Sequence, residues 1–208
     1  MEPLLLLVLA TSLAALVAGA SGPAYRILAR DGAPAFLGWA NAVAAGLMLG
    51  AAYAVALQGW GDGPGIAFGV GALLGIIPGI FVYARQDGRS WDGVIGADDA
   101  SDSPTGLYTS LLRHALHAAP EGVALGVAAF GDLGLGLFLV AALATHNVAE
   151  GLSLVSASVV SGSSAASGAV EAVVSNLPQV VLAAAVYVIL GLMPGLYPGG
   201  VGFAVGAL

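Results

Sequence analysis

The opening stretch, MEPLLLLVLATSLAALVAGASG, sets the constraint that governs the whole chain: apolar runs of this kind recur along all 208 residues. A helix rising about 1.5 Å per residue needs about 20 apolar residues to cross the hydrocarbon core of a bilayer. Several runs here reach that length. Hydrophobic residues make up 59% of the chain, charged residues 8%, and the mean hydropathy is +0.96. Soluble domains carry charge on about a quarter of their residues. These figures predict an all-α, polytopic transmembrane helix bundle embedded in the lipid bilayer. The opening stretch reads as the first span rather than a secretory signal, because Glu2 stands where such signals place positive charge.

Apolar runs broken by Gly, Pro and charge predict helices near 4–22, 36–58, 64–84, 107–130, 134–159 and 167–191. A partial seventh begins near 199 and stops at Leu208. The chain is therefore expected to form one transmembrane domain over 1–208 that ends partway through a helix. The polar stretch RQDGRSWDGVIGADDASDSPTG, residues 85–106, is expected to be a flexible loop. Arg26 and Arg30 fall in the connection after the first helix, Arg85 and Arg89 in that after the third, and Arg113 near the start of the fourth, on the same side. Positive charge favours the cytoplasmic side, so these connections are expected inside and the N-terminus outside a cell membrane. Lysine is absent and the net charge is -7, which leaves no basic patch for nucleic acid. Cysteine is also absent, which excludes disulfides and thiolate metal sites.

Against this background the ionisable residues stand out. The three histidines, His114, His117 and His146, and three of the four glutamates, Glu121, Glu150 and Glu171, all fall in the fourth to sixth predicted helices. A charged side chain at the bilayer centre costs about 3 kcal/mol or more, so each must be protonated, paired or bound to a cation. His117 and Glu121 are four residues apart and share a helix face; His146 and Glu150 repeat the spacing on the next helix. A short turn makes these helices antiparallel, which brings each histidine towards the other helix's glutamate.

Two imidazoles and two carboxylates around one point suit Zn²⁺, Fe²⁺, Mn²⁺, Co²⁺ or Cd²⁺ better than Mg²⁺ or Ca²⁺. A metal or proton pathway is the sharp reading, and a structural polar cluster is the bland one. Asn147 and Glu171 are candidates to extend the site, and His114 to receive an exiting ion. Pro120 is a candidate helix kink, since it removes a backbone hydrogen bond beside Glu121. Met48, taken by itself, reads as core.

The segments HAAPEG at 117–122 and HNVAEG at 146–151 resemble the paired signatures of the ZIP family of divalent-metal transporters. SGAVEA at 167–172 resembles the start of that family's sixth helix, and AAGLML at 44–49 its second. The resemblance implies an eight-helix, commonly dimeric transporter that moves Zn²⁺ or a related ion towards the cytoplasm. It also implies a binuclear centre with His117, Glu121, His146 and Glu150 as primary ligands, Glu171 as a participant and Met48 near the metal. The chain departs from the pattern at Ala118, Ala149 and Ala172, which replace an asparagine and two prolines. The long loop also lacks a histidine cluster. Two other classes stay open: an intramembrane metalloenzyme, which would need a metal-activated water, and a metal-binding membrane scaffold that transports nothing.

Overall fold

The computed structural model describes residues 2–28, 33–60, 65–84 and 104–208. Every element among them is helical. Helix α1 (Pro3–Val17) passes through one 3-10 turn (Ala18–Ala20) into α2 (Ser21–Leu28). Helices α3 (Ala33–Trp60) and α4 (Ile66–Ala84) follow, and then α5 (Pro104–Gly131) and α6 (Leu133–Val160). Next come α7 (Ala165–Ser175), α8 (Leu177–Leu192) and, after a second 3-10 turn, α9 (Tyr197–Ala207).

Among the described residues, four stretches are long and apolar enough to cross a membrane: Pro3–Leu28, Asn41–Gly59, Leu133–Val160 and Ala165–Leu192. Their outward faces carry large apolar side chains, as lipid contact requires. Leu5, Leu9, Leu13 and Leu16 form such a stripe along α1, spaced for one helix face. The inner faces meet in a core that includes Leu7, Val55, Leu125, Leu139, Leu143 and Val201.

Three departures from the expected spans have local causes. The first helix does not stop near residue 22 but continues to Leu28, because Pro23 falls in the first turn of α2. A proline there gives up an N–H that has no helical partner anyway. The expected sixth helix is two helices, broken at Asn176. Its side-chain Nδ2 donates to the Ala172 carbonyl at 2.8 Å and so closes α7, while Pro178 opens the first turn of α8. Pro120, by contrast, lies inside a continuous α5. The polar segment expected to be loop to residue 106 is already helical from Pro104; residues 85–103 lie outside those described.

Two contacts fix how the helices meet. The hairpin between α5 and α6 turns at Asp132, whose Oδ1 accepts from the Leu135 amide at 2.7 Å and caps α6. Asp132 is exposed, as expected of a turn residue, and also caps. Helices α4 and α9 approach so closely that a Cβ on Gly71 or Gly75 would collide with the backbone at Gly199 or Phe203. Gly202 and Gly206 face Phe68 and Ala72 in the same way. Small residues at such spacing let membrane helices pack backbone to backbone.

Candidate metal centre

The α5–α6 hairpin determines where the polar residues lie. Counting from Asp132 at about 1.5 Å per residue, Glu121 lies about 15 Å along α5, and His117 and His146 about 20 Å along their helices. Both distances place the group well inside the helix pair, several turns from the hairpin. The antiparallel arrangement brings His146 Nε2 to 3.4 Å from Glu121 Oε1, across the two helices. Along α5, His117 Nε2 is 4.0 Å from the same oxygen. The two imidazoles stand 6.1 Å apart between ring centroids, tilted by 49°. One ligand atom from each of His117, Glu121 and His146 falls within 4.8 Å of the other two.

The burial of this group is uneven. Glu121 is 5% exposed. The side chain of His117 is 49% exposed, so the group is sealed on the Glu121 side and open on the other. Neither nitrogen of His146 has a hydrogen-bond partner among the described residues, although both are buried. Buried imidazole nitrogens that make no hydrogen bond are costly, and coordination to a cation would remove that cost.

The distances suit a small transition-metal ion. With metal–nitrogen and metal–oxygen bonds of about 2.0–2.1 Å, neighbouring ligand atoms in a tetrahedral site lie about 3.3–3.4 Å apart. The His146–Glu121 separation of 3.4 Å already meets this, whereas the three ligand atoms together span up to 4.8 Å, so His117 must move inwards on binding.

Two further side chains join the group from α8 and α6. Gln179 is fully buried and donates from Nε2 to Glu121 Oε2 at 3.0 Å. Its Oε1 accepts from Asn147 Nδ2 at 3.2 Å. Gly122 makes this possible: a Cβ there would lie 2.6 Å from the Gln179 carbonyl oxygen. Gly126 meets Ala183 in the same way one turn later. Glycine at 122 therefore lets the backbone of α8 rest directly against α5, beside Glu121.

The other candidates are placed differently. Glu171 accepts from Ser167 Oγ at 3.5 Å on an exposed part of α7 and is not in the three-residue group. Met48 belongs to the apolar core with Val55, Leu139 and Leu143. The side chain of His114 lies outside the described residues. Gln179 and Asn176 were not singled out from the sequence. Their signal was Asn-Leu-Pro-Gln, a helix stop followed by a helix start within an otherwise apolar run.

No family model matches the chain. It is similar to an Arabidopsis thaliana protein named "Putative zinc transporter", with 27% identity over 178 residues. The match covers 84% of this chain and 28% of that relative's length.

Proposed function

We propose that this chain is the metal-conducting part of a ZIP-like transporter, moving a divalent transition-metal ion across the membrane towards the cytoplasm. The observation that carries this reading is the convergence of His117, Glu121 and His146 from two helices within 4.8 Å. The naming of the Arabidopsis relative for zinc supports Zn²⁺ as the first substrate to test, with Fe²⁺, Mn²⁺ and Cd²⁺ as competitors. The N-terminus lies outside in this reading, and residues 85–106 lie in the cytoplasm.

The chemistry follows from the donors. A hydrated cation entering from outside exchanges water for the Glu121 carboxylate and the His146 and His117 imidazoles. Glu150 and Asn147, on the same helix as His146, complete the ligand set, with Glu171 and the binuclear arrangement implied by the ZIP resemblance beyond them. Coordination by the Glu121 carboxylate and the two imidazoles makes binding favourable, and rearrangement of one group of helices against another exposes the ion to the cytoplasm. The same site makes occupancy stabilising: metal at about 100 times its Kd raises folding stability by about 2.7 kcal/mol.

Uptake of Zn²⁺ into proteoliposomes tests the proposal. The wild-type protein should accumulate the ion, and Glu121→Ala or His146→Ala should reduce uptake to the level of empty vesicles. Variants that transport at the wild-type rate would refute the site, and a wild-type protein that moves none of the four metals would refute the function.

A further inference from the structure

We propose that Gln179 is a positioning residue for this centre: it holds one oxygen of Glu121 so that the other oxygen faces the two imidazoles. The inference rests on the metal-binding reading above and adds an element, α8, to the set that defines the site.

The two carboxylate oxygens of Glu121 have different neighbours. Oε2 accepts from Gln179 Nε2 at 3.0 Å, while Oε1 is 3.4 Å from His146 Nε2 and 4.0 Å from His117 Nε2. Rotation about the last bond of a glutamate is soft, so an unrestrained carboxylate could present either oxygen, or both, to an ion. The amide removes that freedom and leaves Oε1 as a single, directed donor.

Asn147 orients the amide in turn. Its Nδ2 donates to Gln179 Oε1 at 3.2 Å, so the Gln179 NH₂ is the end that meets Glu121. Reversing the Gln179 amide alone would set NH₂ against NH₂ on one side and oxygen against carboxylate on the other.

The backbone also places Gln179. The Asn176–Pro178 break starts α8 immediately before it, and the Gln179 amide N–H donates to the Asn176 carbonyl at 3.2 Å. The absent side chain of Gly122 lets its Cα approach α5. Gln179 is neutral, so it directs the carboxylate without cancelling the charge that attracts the cation. Hydrogen-bonded partners of this kind are worth about 10–100-fold in metal affinity.

Co²⁺ provides the test, because its visible d–d bands report coordination geometry. The chain in lipid nanodiscs is titrated with Co²⁺ as wild type, Gln179→Met, Gln179→Leu and His146→Ala. The Gln179 variants should bind about 10–100-fold more weakly, with shifted bands. Wild-type affinity and bands in both would overturn the proposal. So would a lowered Tm with unchanged bands, because that is the result expected of a residue that only holds helices together. As a measurement independent of any variant, the Gln179 side-chain amide resonance of the wild-type chain should move when Zn²⁺ is added, and an unmoved resonance contradicts the proposal. The underlying reading fails separately, when wild type binds no Co²⁺ or His146→Ala binds it unchanged; either result removes the basis of the Gln179 proposal as well.

Discussion

The α4–α9 pair and the α5–α8 pair both rely on glycine, yet they use it for different ends. In α4 and α9, Gly71, Gly75, Gly202 and Gly206 bring two backbones together. In α5, Gly122 and Gly126 let α8 approach somewhat less tightly, and that approach also delivers Gln179 to Glu121. The first contact can change in detail as long as the helices still fit. The second also sets a hydrogen-bond donor against a carboxylate. Small residues in a membrane bundle are thus either packing alone or packing that serves chemistry, and the sequence spacing is the same in both.

Substitutions separate the two uses. The largest effect is expected from Gly122→Leu, whose side chain would enter the Gln179 backbone. Pushing α8 away should abolish high-affinity Zn²⁺ binding, measured by calorimetry in nanodiscs. Gly75→Leu should destabilise the bundle by more than the about 1–3 kcal/mol typical of core overpacking, because its side chain would meet the α9 backbone, yet leave metal affinity within about threefold of wild type. If Gly75→Leu also lost the metal, the two regions would not be separable in this way.

Met48→Leu sharpens the contrast on the apolar side. A volume-conserving swap in the core should cost less than about 1.5 kcal/mol and leave the Co²⁺ bands unchanged. Altered bands would instead bring Met48 to the metal, as the family resemblance implies. The smallest effect is expected at Asp132, which caps α6 at the exposed turn. Asp132→Ala should lower stability by about 1 kcal/mol, read from thermal unfolding, with metal affinity unchanged.

The sequence reveals most about the residues that are costly in lipid. Helical spans show as long apolar runs, and His117, Glu121 and His146 show because a membrane helix carries such side chains only for a reason. Their meeting across the α5–α6 hairpin follows from matched spacing and a short turn. Gln179 could not be read in the same way. A neutral amide raises no charge alarm, and its role depends on two things that periodicity does not encode: the helix break at Asn176 and the bare α-carbon of Gly122. The same limit explains why Pro178 and Pro120 differ. Proline marks a place where a helix can end, and only the packing around it, here Asn176 closing α7, decides whether it does.

X-ray absorption at the zinc edge of the Zn²⁺-loaded chain tests most directly whether His117, Glu121 and His146 converge on one ion. The spectrum should show nitrogen and oxygen ligands at about 2.0–2.1 Å, with outer-shell scattering from imidazole that weakens in His146→Ala. An all-oxygen shell, or imidazole scattering that persists unchanged in His146→Ala, would contradict the assignment.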